Sequence, residues 1–120
     1  MNKNLLIVSR QPPYGSSLPR EALDVALAAA VYDQNIGILF MDDGVFQLLN
    51  KQNPDTISQK NIASTLSALP LYGIENIYVH KQSLESRNLT IEELALDEIK
   101  ILSTEDVAQL LDQQDHLLSF

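Results

Sequence analysis

His80 is the side chain of this sequence best suited to acid–base chemistry. An imidazole titrates near neutral pH and serves as a general acid or base in many enzymes. The second histidine, His116, lies far off in the sequence, and no local motif supplies a nucleophile beside His80. Because catalysis also needs a nucleophile and an orienting group, we interpret His80 as a partly buried histidine bonded to the backbone or to a neighbouring chain. General acid–base catalysis is the alternative.

The loop before the first predicted helix offers a possible anion site. Backbone amides near Ser16 and Ser17 at a helix start can hold an anion, with Arg10 or Arg20 assisting. The loop contains one glycine and lacks the spacing of a dinucleotide fold or a P-loop. We therefore interpret it as a loop that turns the chain. The alternative is a small anion-binding enzyme that uses Arg10, these two amides and His80.

Asp42 and Asp43 are adjacent acids that follow a predicted strand. Such a pair could bind a metal or do acid–base work, but adjacent acids at this position more often cap the next helix. We therefore predict that they cap a short helical run over residues 45–49. A phospho-acceptor domain would need a lysine at the end of a later strand. His80 ends the third predicted strand and Lys100 lies inside the fourth, which excludes that class.

The composition excludes several further kinds of chemistry. The sequence has no cysteine, so it forms no disulfide, thiolate metal site, iron–sulfur cluster or cysteine nucleophile. Its two histidines have neither helical nor finger spacing, and we expect no metal and no cofactor. The formal net charge is −8, and from Glu85 onward nine acids face only Arg87 and Lys100. Such a surface repels phosphate backbones, so we expect no direct contact with nucleic acid.

The length and the apolar runs limit the number of domains and membrane spans that the chain can have. A chain of 120 residues is the size of one domain, and we predict a single domain over residues 1–120. The longest apolar run, residues 25–31, is far shorter than a membrane span. Residues 1–4 lead into an apolar run without a small-residue cleavage site. These features predict a cytoplasmic protein.

Apolar runs alternate with stretches of helical periodicity along the whole chain. Helices are predicted after Pro19, over the stripe of Ile62, Leu66 and Leu69, near residues 81–87 and after a Ser103 cap, with a capping box at residues 90–93. The predicted strands cover residues 5–8, 36–41, 77–79, 99–102 and 116–120. This order predicts an α/β fold: a doubly wound sandwich whose mostly parallel, five-stranded sheet carries helices on both faces. Functional sites in such sheets lie at the carboxyl ends of the strands.

Two helical segments carry more apolar surface than one sheet can cover. Residues 25–31 are apolar on every side of the predicted helix, and residues 45–49 present the same excess on a short helix. A helix that is apolar all round must be covered on its outer face as well. We therefore predict a protein interface at these helices. Its candidate residues are Val25, Ala28, Ala29, Val45, Phe46, Leu48 and Leu49.

Several short segments resemble the DsrE/DsrF-like superfamily over the whole chain. They are Asp43-Gly44-Val45-Phe46-Gln47-Leu48-Leu49, Pro13, Gly15, Arg20-Glu21 with Leu23-Asp24, Leu71-Tyr72-Gly73-Ile74, Ser83-Leu84 with Arg87, and Phe120. The resemblance implies a subunit of a sulfur-relay heterohexamer, a dimer of trimers, with TusB-like and TusD-like neighbours. Such a complex takes sulfur as persulfide from TusA and passes it on through TusE. The end product is 2-thiouridine at the wobble position of tRNA.

The resemblance implies that His80 stands where many relatives carry a cysteine. The resemblance places a sulfur-carrying cysteine at the end of the third strand of the D-type subunit, and His80 appears in the corresponding position here. Imidazole cannot carry sulfane sulfur, since persulfide transfer needs a thiolate. The resemblance therefore implies a non-catalytic, architectural subunit. A related alternative is the DsrF-type subunit of a DsrEFH complex in dissimilatory sulfur oxidation.

Overall fold

Strands and helices alternate along the chain in the computed structural model, which describes residues 3–13, 15–32, 35–49, 65–94 and 98–120. The strands are β1 (Asn4–Ser9), β2 (Asn35–Phe40), β3 (Asn76–His80), β4 (Lys100–Leu102) and β5 (His116–Ser119). The α-helices with both ends described are α1 (Leu18–Ala30), α2 (Lys81–Ser86) and α3 (Thr104–Asp112). Within these ranges, three 3₁₀ helices cover Asp42–Leu48, Leu69–Tyr72 and Ile91–Glu93. None of the helices in these described ranges is long and apolar enough to cross a membrane.

The five strands form one sheet in the order β4-β3-β2-β1-β5, and every pairing is parallel. The alternation of strands and helices predicted this parallel α/β architecture, and the structure confirms it. Because the strands are parallel, their carboxyl ends meet at one edge, where Ser9 pairs with Phe40 and His80 with Leu102. This edge positions most of the side chains that the sequence singled out.

Apolar side chains of β1 alternate between two cores on opposite faces of the sheet. Leu5 and Ile7 pack on the face that α1 covers, together with buried residues of β2 and β3. Leu6 and Val8 pack on the other face against Val107 of α3. A strand covered on both faces needs apolar residues at consecutive positions, which explains the unbroken apolar run of β1.

Local signals place several helix ends where the sequence predicts them. Pro19 lies in the first turn of α1, and the Ser103 hydroxyl accepts a hydrogen bond from the backbone N–H of Asp106 at the start of α3. Both bonds of the capping box between Thr90 and Glu93 are present. Gly73 ends the Leu69–Tyr72 helix with a left-handed φ of 84°. Ile62 and the predicted loop at residues 50–55 lie outside the described residues.

The prediction that Asp42 and Asp43 cap a helix is wrong. The segment is a 3₁₀ helix that already begins at Asp42, and its N-cap residue is Met41, with no side-chain cap bond. Both carboxylates bind arginines instead, as described below. This helix lies very close to the end of β1: a Cβ atom added to Gly44 would lie 2.0 Å from the backbone oxygen of Ser9. Only glycine fits that approach.

Candidate functional site

His80 lies at the carboxyl end of β3, where it is also the N-cap residue of α2. Its side chain is buried, with 9% of the residue exposed. The ring atom Nδ1 lies 2.7 Å from the Ser83 hydroxyl, and Nε2 lies 2.8 Å from the Thr104 hydroxyl. Ser83 follows three positions later on α2, whereas Thr104 comes from the first turn of α3. The imidazole therefore joins β3 and two helices.

The neighbouring hydrogen bonds assign the proton on this imidazole. Thr104 donates its hydroxyl proton to Oε1 of Gln82 over 2.9 Å, so its oxygen accepts from Nε2–H of His80. Ser83 accepts the backbone N–H of Asp42 over 2.9 Å and donates its own proton to Nδ1. The bonds run in one direction from Asp42 to Gln82. They assign the neutral Nε2–H tautomer from the hydrogen-bond network.

A serine hydroxyl within 2.7 Å of an imidazole has the spacing of an activated nucleophile. Here the serine is inaccessible, because Ser83 is 4% exposed and its oxygen already accepts an amide proton. The second ring nitrogen is bound to Thr104. Thr104 is exposed, but its hydroxyl is already bonded to both His80 and Gln82. The arrangement supports a buried, bonded histidine, but the ring's partners are side-chain hydroxyls of this chain and not the backbone or neighbouring-chain groups that the sequence predicted.

Asp42 and Asp43 each bind an arginine from another segment. Asp42 accepts from Nε of Arg10 over 2.8 Å, and Asp43 accepts from Nε of Arg87 over 3.0 Å. Arg87 also donates to the backbone oxygen of Ser83. Both carboxylates are thus neutralised by a cation, and the described residues contain no group of three or more side chains arranged to hold a metal ion.

The proposed anion site is not assembled as the alternative interpretation required. A groove of about 370 Å³ opens at the carboxyl edge beside β1 and β5, lined by Arg10, Gln11, Asp42, Ser119 and Phe120. Ser16, Ser17 and His80 do not line it. Arg10 meets the Asp42 carboxylate there, so an incoming anion would compete with that carboxylate for the guanidinium.

The structure divides the predicted interface residues into two groups. Val45 and Leu48 have no exposed surface and belong to the core on the α1 face, so they are removed from the candidate set. Their 3₁₀ helix packs against the end of the sheet, which buries them within the chain itself. The remaining candidates keep some exposure: Val25, Ala28, Ala29, Phe46 and Leu49. The most exposed large apolar residues near them are Val31 and Tyr32, at the end of α1.

Sequence reasoning missed Ser83 and Thr104 as partners of His80. The signal for Ser83 was available, because a residue three positions beyond an N-cap faces back toward it. Thr104 gave no such signal, since 24 residues separate it from His80. It reaches the imidazole because β4 pairs with β3 and α3 begins directly after β4.

A model of the DsrE/DsrF-like family matches residues 3–120. The chain belongs to the DsrE/DsrF-like family. Among its relatives, a "Protein TusC homolog" of Pseudomonas aeruginosa is 41% identical, with 99% of each chain covered. A "Protein TusC homolog" of Vibrio parahaemolyticus is 40% identical, over 97% of this chain and 98% of the relative. The "Intracellular sulfur oxidation protein DsrF" of Allochromatium vinosum is 34% identical, over 98% and 96% respectively.

The fold of this DsrE/DsrF-like chain also occurs in a solved structure, that of the YchN protein from E. coli. The two structures superpose with a TM-score of 0.81, and each chain is covered in full. Their sequences are 24% identical, so this comparison shows a shared fold and nothing more specific.

Proposed function

We propose that this chain is a TusC-type subunit of a sulfur-relay complex that supports 2-thiolation of the wobble uridine of tRNA. The observation that carries the proposal is the full-length similarity to TusC homologs, at 41% and 40% identity. Its neighbours in the proposed complex are TusB-like and TusD-like subunits in a dimer of trimers. TusA donates sulfur to this complex, and TusE accepts sulfur from it. The proposed location is the cytoplasm, where tRNA is modified.

The proposed role is structural, because the chain has no cysteine to carry sulfur. In a relay step, an acceptor thiolate attacks the outer sulfur of a donor persulfide. A new sulfur–sulfur bond forms, the old one breaks, and the donor leaves as a thiolate. No side chain of this protein can play either part. His80, which stands at the carboxyl end of β3, is engaged at both ring nitrogens by hydroxyls.

Co-expression with TusB-like and TusD-like partners tests the assembly. Native mass spectrometry of the purified material should show a hexamer that contains two copies of this 13.4 kDa chain. Omitting this chain should leave the other two subunits without the hexamer. The proposal fails if the chain stays monomeric in their presence while they assemble without it.

A sulfur-transfer assay tests the structural role. The complex is supplied with a cysteine desulfurase, ³⁵S-cysteine, TusA and TusE, and the products are separated on a non-reducing gel. We expect label on the TusD-like subunit and none on the 13.4 kDa band of this chain. The matched control replaces the relay cysteine of the TusD-like subunit with serine and should abolish its label. Stable label on this chain would contradict the structural role.

A DsrF-type role in sulfur oxidation is the second candidate, favoured by the 34% identity to the DsrF protein of Allochromatium vinosum. The two roles share the fold and the assembly but differ in the pathway that consumes the sulfur. Siroheme sulfite reductase genes beside the gene for this chain would favour oxidation. Loss of tRNA 2-thiouridine after deletion of the gene, restored by its return, would favour the tRNA role.

A further inference from the structure

Strand β5 lies at an edge of the sheet and exposes large apolar side chains on both faces. Among the described strands it pairs only with β1. Leu117 is 50% exposed and Leu118 is 42% exposed. Leu117 pairs in register with Leu6, which faces α3, and Leu118 pairs with Ile7, which faces α1. The two leucines therefore point to opposite sides of the same edge.

Among the described strands only β1 pairs with β5, so the outer backbone groups of β5 have no strand beside them within the described residues. Phe120 donates its N–H to Val8 and accepts from the N–H of Arg10. In a parallel ladder every second residue bonds to a given neighbour, so the backbone groups of Leu117 and Ser119 point away from β1. Natural edge strands are commonly protected by lysine, proline or a bulge. Residues 116–119 contain no lysine or proline, and their pairing with β1 is continuous.

The exposed edge continues onto the end of α1. A groove of about 310 Å³ is lined by Leu5, Ala29, Tyr32, His116 and Leu118. Tyr32 in this lining is 74% exposed, and its neighbour Val31 is 80% exposed. We name the set of Ala29, Val31, Tyr32, Leu117 and Leu118 the β5 surface. Its four large side chains present on the order of 400 Å² of apolar area, about half of what each partner buries in a standard interface.

The position of the leucines indicates the shape of the occupant. A single helix or an apolar ligand would cover Leu118 on one face and leave Leu117 in water. Both leucines are covered when a second sheet continues the first, because its own helical layers then extend across both faces. The occupant that fits is an α/β subunit with an exposed edge strand.

Charge indicates that this subunit differs from the present chain. The end of α3 and its connection to β5 carry Asp112 and Asp115, and residues 112–119 contain no lysine or arginine. A second copy would bring the same acidic segment and a further net charge of −8. A partner with lysine or arginine beside its edge strand would instead gain favourable electrostatic interactions.

We propose that β5 is the pairing edge for a strand of a different α/β subunit that carries basic side chains beside that strand. The identity of this subunit rests on the proposed function, which supplies TusB-like and TusD-like neighbours. Pairing extends the parallel sheet across the interface and buries Leu117 and Leu118 on its two faces.

Substitution of both leucines tests the edge directly. In the co-expressed complex, the L117K/L118K variant should raise the dissociation constant of this chain at least tenfold, because it places two ammonium groups in an apolar contact. The matched control is Leu71→Lys, at a leucine that is 87% exposed and belongs to the Leu69–Tyr72 helix. It should leave the affinity unchanged. Circular dichroism of the isolated variants establishes that both are folded.

Hydrogen exchange of the wild-type chain provides a readout that needs no variant. In the assembled complex the amide protons of Leu117 and Ser119 should exchange at least tenfold more slowly than in the isolated chain, as strand pairing requires. Binding should also weaken at high salt.

Unprotected amides in an intact complex, or full assembly of L117K/L118K, would overturn this inference and leave the proposed function standing. If the wild-type chain does not assemble with the named subunits, the proposed function fails.

A second copy is the remaining occupant to test. Sedimentation of the isolated chain at micromolar concentration should show a monomer at neutral pH. The choice of a different subunit would be overturned by a dimer in which the Leu117 and Ser119 amides are protected and which the L117K/L118K substitutions dissociate.

Discussion

At the scale of single residues, His80 and the nearby Ser83 connect two segments that are distant in sequence. Its imidazole bonds to Ser83 on α2 and Thr104 on α3, and Ser83 in turn binds the backbone of Asp42. Asp42 has a left-handed φ of 51°, a conformation that non-glycine residues adopt rarely. The hydrogen bond from its N–H to Ser83 helps to hold this turn. Under the proposed structural role, we expect His80 to act on stability.

Replacement of His80 with alanine should therefore destabilise the chain by about 2–4 kcal/mol. The variant loses one buried and one part-buried hydrogen bond, which together contribute about 1–2 kcal/mol, and it leaves a cavity that costs about 1–2 kcal/mol more. Urea denaturation followed by circular dichroism measures the change. The matched control is His116→Ala, at an exposed position on β5, which should change stability by less than about 0.5 kcal/mol. Equal losses of stability from the two substitutions would contradict a stabilising role of the His80 hydrogen bonds.

Tyr78 makes the stability of the folded chain depend on pH, and the sign of this dependence follows from the burial of its phenol. Desolvation raises the pKa of its phenol above the ordinary value. The unfolded chain then ionises at about pH 10, while the folded chain still holds its proton. Tyr78 therefore contributes its stability below about pH 10, and that contribution is lost as the pH rises through this value and above it.

The urea midpoint should accordingly fall between pH 8 and pH 10.5, and it should fall less in Tyr78→Phe. A phenyl ring retains the contact with Lys100, whose Nζ lies 5.4 Å from the ring centroid. Tyr72→Phe is the matched control, because Tyr72 is 59% exposed. It should follow the wild type. The interpretation is wrong if Tyr78→Phe loses as much stability as the wild type over this range.

The residues of the carboxyl edge show where sequence reasoning stops. Asp42 and Asp43 are adjacent acids at a helix start, and local chemistry favours capping there. Their actual partners, Arg10 and Arg87, are 32 and 44 positions away. Only the parallel pairing of the strands brings these side chains together. A sequence pattern confined to one helical turn cannot show that arginines from other segments compete with the helix N–H groups for these carboxylates.

At the scale of elements, features with local causes were predictable and the 3₁₀ helices were not. The caps of α3 and of the Ile91–Glu93 helix depend on residues three positions apart, and both are present as predicted. The Asp42–Leu48 segment is 3₁₀ in form. It must pass within contact of the Ser9 backbone at Gly44. That constraint comes from β1, which lies far away in sequence.

The two serines that precede helices should respond differently to alanine. Ser103 accepts a hydrogen bond from the Asp106 N–H over 3.1 Å, so Ser103→Ala should cost about 1 kcal/mol. Ser17 occupies the N-cap of α1 without a side-chain cap bond. Ser17→Ala should therefore change stability by less than about 0.5 kcal/mol. Chemical denaturation of both variants measures the difference, and a larger cost at Ser17 would contradict the assignment of the caps.

At the scale of the whole molecule, the parallel sheet was predictable but the place of β5 was not. Alternating strands and helices imply right-handed crossovers, which the parallel order confirms. The sequence shows five strands without showing that the last one lies beside the first. That single fact makes β5 an edge and exposes Leu117 and Leu118. The sequence located surplus apolar surface on helices, where Val45 and Leu48 turned out to be core.

An exposed apolar edge also implies that the isolated chain is less stable than the chain in its complex. A partner that binds only the folded state adds RT ln(1 + [L]/Kd), about 2.7 kcal/mol when the free partner is present at 100 times Kd. Pulse proteolysis in urea can follow this chain alone, by its 13.4 kDa band on a gel. We expect its unfolding midpoint to rise as the partner subunits are added. L117K/L118K should show no rise, whereas Leu71→Lys should behave as the wild type. An equal rise in all three would place the stabilising contact elsewhere on the chain.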